Sequence, residues 1–297
     1  MVLDIEYLGQ RGAIGAFLIE TDGGAAIVDP GPASALSGLR ARLAEQGLGV
    51  ADLEAVLLTH IHLDHAGATG TLVRENPRLR VYVHERGAPH LVDPTRLLAS
   101  AGRLYGDQMQ RLWGEVLPVP RDNLHTLAGG EEVRLGTRVL ETAYTPGHAV
   151  HHVSYLDAGE GVAFVGDTGG LRLDNARVVL PLTPPPDFDL EAWRQSLAWF
   201  AVWRPERLVV THFGFADDVP WHLAQLEEGL EDWTARVRAS LGREATDEER
   251  ARAFADDVAA ELAGRLPTDE VARYAAGAAL EACWAGIARW VRKQQGA

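Results

Sequence analysis

The chain has 297 residues, of which 46% are hydrophobic, which is enough for one large α/β domain or for a domain with an appendage. Its formal net charge of −14 at pH 7 repels phosphate backbones, so nucleic acid is not expected as the main partner. A single cysteine, Cys283, excludes an intrachain disulfide, and a single lysine, Lys293, argues against Schiff-base chemistry.

The N-terminal residues M-V-L-D-I-E-Y lack the basic and apolar regions of a signal peptide. No apolar run approaches the length of a membrane span. From the sequence we therefore expect a soluble cytoplasmic protein that acts on a small molecule and has no membrane partner.

The first part of the chain reads as short strands followed by a helix. Residues 3–8, 16–19 and 25–28 read as three short strands, and leucines at helical spacing predict a helix over 33–46. The third run ends in Asp29-Pro-Gly, which is typical of a turn but leaves a carboxylate at a strand end.

Four candidate metal ligands follow the next apolar run within six residues. The sequence 56–66 reads V-L-L-T-H-I-H-L-D-H-A and contains His60, His62, Asp64 and His65. Imidazole and carboxylate groups bind zinc, iron and manganese. His60 and His62 can point one way, while Asp64 and His65, where the chain turns into a helix, can face a second point. The loop therefore favours a pair of metals over one.

The stretch 85–121 is too long for a connector and predicts two or three short helices. Long inserts in compact domains are usually functional, so we interpret it as a lid. Tyr105 and Trp113 are candidates for lining a pocket, although such rings also commonly fasten an insert to its domain.

Three further candidate ligands stand beside predicted strands in the second half of the chain. Residues 124–127, 132–135 and 138–143 alternate like strands of a second sheet, and T-P-G-H then presents His148. Later, G-D presents Asp167 and V-V-T-H presents His212. Asp167 can bridge two cations through its two oxygens.

From about residue 216 the strand pattern stops. The spacing predicts three helices over 219–241, 247–266 and 269–293. This tail is expected either to close over the site or to mediate a homodimer.

The ordered ligands, from H-x-H-x-D-H to the last histidine, resemble those of the metallo-β-lactamase superfamily over roughly residues 3–213. The resemblance implies an α/β fold, the αββα four-layer sandwich, with a helical insert at about 85–121 and a C-terminal helical appendage. We expect domain boundaries of 1–215 for the metallo-β-lactamase-like domain and 216–297 for the tail.

The resemblance also implies a role for each ligand. His60, His62 and His148 should hold one divalent metal, and Asp64, His65 and His212 the second, with Asp167 bridging. Zinc is expected, with iron and manganese as alternatives. Asp64 and Asp167 are the expected catalytic residues, and Asp29 and Thr59 are expected to support the ligands from behind.

The expected activity is hydrolysis of a carboxylic ester, thioester or lactone by a metal-bridging hydroxide. Glyoxalase II resembles the chain in every ligand, but its tail binds glutathione with lysine and arginine, and this tail has no lysine before Lys293. The alternatives are a phosphodiesterase or nuclease, a mononuclear iron dioxygenase, and a non-enzymatic metal-stabilised module.

Substrate choice must come from residues around the metals rather than from the ligands. The candidate pocket residues are Tyr105, Trp113, His151, Phe213 and Trp221. Neither the insert nor the tail supplies a ligand, so neither is expected to be needed for metal binding.

Overall fold

The structure, a computed structural model, describes residues 1–173 and 176–296. Within these residues the strands are β1 (Val2–Asp4), β2 (Gly15–Thr21), β3 (Gly24–Val28), β4 (Leu53–Leu57), β5 (Arg80–His84), β6 (Leu124–Leu127), β7 (Glu132–Leu135), β8 (Arg138–Tyr144), β9 (Val153–Asp157), β10 (Val162–Phe164), β11 (Arg207–Val210) and β12 (Gly214–Ala216). The helices are α1 (Leu36–Glu45), α2 (Leu63–Ala66), α3 (Thr69–Glu75), α4 (Ala88–Val92), α5 (Thr95–Tyr105), α6 (Met109–Trp113), α7 (Leu190–Trp203), α8 (Val219–Leu241), α9 (Asp247–Ala263), α10 (Thr268–Ala278) and α11 (Leu280–Gln295).

The strands form two mixed sheets of six. The first has the order β1-β2-β3-β4-β5-β6, antiparallel up to β3 and parallel from β3 to β6. The second has the order β12-β11-β10-β9-β8-β7. Because β9 is antiparallel to both β8 and β10, and β11 is parallel to β10, the carboxyl ends of β8, β10 and β11 meet at one edge.

Alternation along the strands gives each sheet two buried faces. In β3, Ala26 and Val28 belong to the core between the sheets, which also contains Tyr155 and Phe164 from the second sheet. The neighbouring Ile27 faces the other way, into a core shared with α1 and α3. The outer face of the second sheet is covered by α7, α8, α9 and α11. This is the αββα sandwich, so the predicted fold class is confirmed.

The structure corrects three details of the expected architecture. Strand β6 lies in the first sheet, because it pairs with β5; an alternating pattern predicts a strand but does not name its partner. A short strand, β12, follows the last predicted one. Up to residue 296 the tail has four helices rather than three, because Ala279 adopts a left-handed conformation with φ 47° between α10 and α11.

The insert and the tail are attached differently. Helices α4 to α6 form the insert. Helix α4 adds Ala88 and Leu91 to the core of the first sheet, whereas Ala101 of α5 and Trp113 of α6 pack with Leu63 of α2 in a small separate cluster. The tail helices share one large core with strands β10 and β11. None of the helices in the described ranges combines the length and apolarity that a membrane crossing requires.

Candidate metal centre

All seven predicted ligands come from loops or short turns that follow strands. The loop after β4 and the short helix α2 carry four of them, at one edge of the first sheet. The other three follow β8, β10 and β11, at one edge of the second sheet. They are His60, His62, Asp64, His65, His148, Asp167 and His212.

The first group contains His60, His62, His148 and Asp167. The Nδ1 atom of His62 lies 3.0 Å from His60 Nε2 and 2.9 Å from His148 Nε2. A tetrahedral cation with metal–nitrogen bonds of ~2.0–2.1 Å holds its nitrogens about 3.3 Å apart. Three ring nitrogens at this spacing suit a shared cation, because one proton on His62 cannot bond to both neighbours.

The second group contains Asp64, His65, Asp167 and His212. The Nε2 atom of His212 is 3.4 Å from Asp64 Oδ2 and 3.6 Å from Asp167 Oδ1. The Nε2 atom of His65 is 3.2 Å from Asp167 Oδ1 and 3.7 Å from Asp64 Oδ2. Two imidazoles and two carboxylates therefore face a common point.

Asp167 belongs to both groups and directs one oxygen to each. Its Oδ2 atom lies 3.4 Å from His148 Nε2, in the first group, whereas Oδ1 faces the second. Asp167 Oδ1 and His65 Nε2 are buried and have no hydrogen-bond partner among the described residues. Orphaned buried polar atoms are costly unless an ion satisfies them, so the donor set fits two divalent cations.

Hydrogen bonds on the far side of the rings leave the ligand nitrogens free. The Nδ1 atom of His148 donates to the Leu182 carbonyl at 2.7 Å, and that of His212 donates to the Ala13 carbonyl at 3.0 Å. His65 Nδ1 donates to the Asp29 carboxylate at 2.8 Å. Each bond places a proton on Nδ1 and directs Nε2 toward the centre.

Asp29 connects these supports. Its fully buried carboxylate accepts from the backbone N–H of Thr59 at 2.8 Å and from the Thr59 hydroxyl at 2.6 Å. It also accepts from the Thr211 hydroxyl at 3.2 Å, a contact that the sequence did not suggest. Thr59 and Thr211 lie just before His60 and His212, so one carboxylate braces ligand loops from both sheets.

Burial and charge separate the two groups electrostatically. Burial lowers the pKa of His60 well below its ordinary value, and neighbouring histidines add to the effect. Burial also acts to lower the pKa of His65. The surrounding carboxylates outweigh burial and raise the pKa of that ring well above its ordinary value. Burial alone raises the pKa of Asp167, yet the imidazoles around it hold the pKa well below the usual range. The carboxylate is therefore ionised, as a metal ligand must be.

Residues 10–212 match the sequence profile of the Lactamase_B family, described as the metallo-beta-lactamase superfamily. The chain belongs to this superfamily. The family prediction is thereby confirmed, and the match includes all seven candidate ligands.

Individual relatives resemble the chain over part of their length. A metallo-beta-lactamase fold-containing protein, ST1585 of Sulfurisphaera tokodaii, is 30% identical over 179 residues, which is 59% of this chain and 66% of the relative. Its solved structure has a TM-score of 0.67 at 20% identity and covers 97% of both chains, which supports the fold alone. A hydroxyacylglutathione hydrolase of Synechococcus sp. is 30% identical over 144 residues, covering 48% of this chain and 43% of that enzyme.

A third relative has been solved with metal bound. The structure of TTHA1623 in a di-iron-bound form has a TM-score of 0.54 at 26% identity and covers 72% of this chain and 93% of that one. The sequence matches thus span between about two fifths and two thirds of the length of the two curated relatives.

A cavity of 480 Å³ lies directly above the ligands of this superfamily site. Its floor includes Asp64, Asp167 and His212. Most of the wall is apolar and comes from three places: helix α5 of the insert, the prolines 184–186, and the junction of α10 with α11 in the tail. Both additions to the core therefore reach the site.

Three of the five predicted pocket residues line this cavity, namely Tyr105, Trp113 and His151. The assignment of the other two is corrected. Trp221 lies under two guanidinium groups, 4.1 Å from that of Arg177 and 5.0 Å from that of Arg172.

Phe213 is likewise absent from the cavity lining. Its backbone N–H donates to the carbonyl of Arg172, and its ring borders Gly12 and Gly15 in the N-terminal segment. Proximity to His212 in sequence therefore did not bring either aromatic ring into the pocket.

The sequence did not suggest several residues around the centre. Arg86, Arg96 and Asp187 line the cavity, and their only signal was membership of long loops and an insert. Tyr7 stacks on Trp113 with ring centroids 6.2 Å apart, and burial together with the Asp64 carboxylate raises its pKa. Nothing in the N-terminal sequence pattern indicates that contact.

Proposed function

We propose that the chain is a binuclear metal-dependent hydrolase of carboxylic esters, thioesters or lactones. The observation that carries the proposal is the pair of ligand groups that share Asp167 at the floor of a mostly apolar cavity. Bound there, two divalent cations supply Lewis acidity and a water molecule of lowered pKa. Zinc is the proposed metal, and iron is the alternative that a di-iron relative supports.

The two catalytic aspartates differ in their environment. The Asp167 side chain is 5% exposed and fixes the spacing of the two groups. The Asp64 side chain is 22% exposed and lines the cavity. Asp64 is therefore the proposed residue that accepts the proton released in hydrolysis and passes it to the leaving group.

Two further side chains are placed to orient a substrate carbonyl. Partial burial and the nearby Asp64 charge raise the pKa of Tyr105 to about 12, so its hydroxyl stays protonated and can donate. His151 accepts from the backbone N–H of Ile61 through Nδ1 at 3.5 Å, which leaves the Nε2 proton for the cavity. Both are proposed as hydrogen-bond donors.

The shape and lining of the cavity favour small acyl compounds over phosphodiesters. Mostly apolar clefts of this size typically hold small organic ligands. A phosphodiesterase is the second candidate, because Arg86 and Arg96 add two positive charges to the wall. The mononuclear dioxygenase has less support, since four donors face a second metal position.

A substrate panel on metal-loaded protein tests the proposal. Nitrophenyl esters, acyl thioesters, lactones and bis(nitrophenyl) phosphate are compared with metal analysis of the same samples. We expect about two metal equivalents per chain and turnover of acyl substrates that stops on chelation. Turnover of the phosphate alone would replace the proposal with the second candidate. A single equivalent of iron without hydrolysis would contradict both.

A cytoplasmic location and a homodimer formed by the tail helices remain predictions. The described part of the tail has no large hydrophobic side chain among the most exposed ones. Trp199 and Val202 of α7 are instead exposed.

A further inference from the structure

The tail after residue 216 supplies no ligand to either group, but it contacts two segments that fix ligands. We propose that the tail is a structural part of the metal centre: Cys283 and Gly286 position His148, and His222 positions Asp167. This inference concerns metal binding, so it does not depend on the reaction assigned above. It reverses the sequence-based expectation that the tail is dispensable for binding metal.

The first contact joins α11 to the segment that precedes the prolines. The buried Thr183 donates its backbone N–H to Cys283 Sγ at 3.3 Å and its hydroxyl to the Cys283 carbonyl at 3.2 Å. One turn later, a Cβ atom at Gly286 would lie 2.0 Å from the carbonyl oxygen of Thr183. The helix backbone and the segment therefore touch directly, with no side chain between them.

That segment in turn orients a ligand. The carbonyl of Leu182, the residue before Thr183, accepts the Nδ1 proton of His148 at 2.7 Å, and both partners are buried. Displacing Thr183 moves this carbonyl and releases the ring. Such partners of metal-binding histidines typically change affinity by about 10- to 100-fold when lost.

The second contact joins α8 to the 3-10 turn Gly166–Gly169, which carries Asp167. His222 is fully buried, and its Nε2–H donates to the carbonyl of Gly169 at 2.8 Å. The bond holds the end of a four-residue turn whose second residue is the shared ligand. Losing it should therefore affect both ligand groups rather than one.

The decisive experiment compares two identical substitutions in the tail. In Gly286→Ala the added methyl collides with backbone, whereas in Gly264→Ala it meets only the Glu261 carbonyl at an ordinary 3.4 Å. Zinc affinity of the full chain is measured by competition with a chelator, and melting of the metal-free protein is measured on the same samples. We expect one of two zinc sites to weaken by about 10- to 100-fold in Gly286→Ala and neither in Gly264→Ala.

A second pair of variants tests the contact with the Asp167 turn on its own and can be measured even if Gly286→Ala does not fold. His222→Phe removes the donor to Gly169, whereas His222→Gln retains an N–H donor. The first should weaken both zinc sites and the second should restore them in part. Wild-type zinc affinity in folded Gly286→Ala would overturn the proposal that Cys283 and Gly286 position His148. Wild-type zinc affinity in folded His222→Phe would overturn the proposal that His222 positions Asp167. Equal losses of zinc affinity in His222→Phe and His222→Gln would show that His222 acts only through packing. That result would also overturn its proposed role in positioning Asp167.

Discussion

The insert and the tail both reach the cavity, but they are built into the molecule in opposite ways. The insert exposes large side chains beside the site: Leu104 is 55% exposed and Tyr105 is 38% exposed. The tail buries most of its large side chains, including Tyr274 and Trp284, in the same core as the second sheet. Helices α5 and α6 of the insert border the cavity, while the tail is continuous with the core of the second sheet.

This difference indicates a division of roles. Helix α4 is fixed to the core of the first sheet through Ala88 and Leu91, but α5 and α6 bury only Ala101 and Trp113. A region with few buried contacts opens locally at low cost, so α5 and α6 can move without unfolding the core. A region that shares the main core cannot separate from it without global unfolding. The insert is therefore suited to admitting and selecting substrate, and the tail to holding the ligand segments.

Asp167→Ala, which changes the ligands themselves rather than the insert or the tail, should have the largest effect. In Asp167→Ala both groups lose their shared carboxylate, so metal content should fall from roughly two equivalents to below one, with loss of hydrolysis. Elemental analysis and turnover on the same samples measure it. Retention of two metals and of hydrolysis would remove the shared carboxylate from the proposed centre.

Truncating one tryptophan in each addition tests how each is attached. Trp284→Ala removes a fully buried ring from the main core and should lower the free energy of unfolding by about 3–5 kcal/mol. Trp113→Ala acts in the small insert cluster and should lower it by less, because the insert can detach locally. Denaturant unfolding followed by fluorescence and circular dichroism measures both.

The comparison fails if the two tryptophan variants lose the same stability in one cooperative transition. Hydrogen exchange provides the matching readout. In Trp113→Ala, faster exchange should be confined to α5 and α6, while β10 and β11 keep their protection.

Tyr105→Phe sharpens the role given to the insert. The change removes a hydroxyl and leaves the ring against Trp113, whose centroid lies 5.0 Å away. If the hydroxyl donates to a substrate carbonyl, kcat/KM should fall by about tenfold at unchanged metal content and melting temperature. A purely thermal effect would show that the ring only packs the insert onto the core.

Much of the centre could be predicted from local sequence patterns, whereas its long-range contacts could not. Four ligands stand within six residues of one loop, and Asp29 and Thr59 flank strands that could be identified from their apolar runs. The tail wall of the cavity consists of glycine and alanine around residues 277–282, which carry no chemical pattern.

Trp221 was predicted to line the pocket but lies outside it. It follows His212 by nine positions, but α8 directs its ring to Arg172 and Arg177 instead of the cavity. Phe213 follows His212 directly and also lies outside the cavity lining, so closeness to a ligand in sequence does not by itself identify a pocket residue.

The smallest expected effect concerns charge on the insert. Arg96 is exposed, lines the cavity and makes no ion pair with a described residue, so its guanidinium is available to an anionic group on a substrate. Arg96→Gln should raise the KM of a carboxylate-bearing ester by about two- to fivefold relative to its neutral analogue, since exposed charges are strongly screened. Arg103→Gln, an exposed position on the same helix outside the cavity lining, is the matched control. The expected ratio should shrink as salt is raised from 20 to about 200 mM. Equal ratios in the two variants would mean that the insert selects substrates by shape alone.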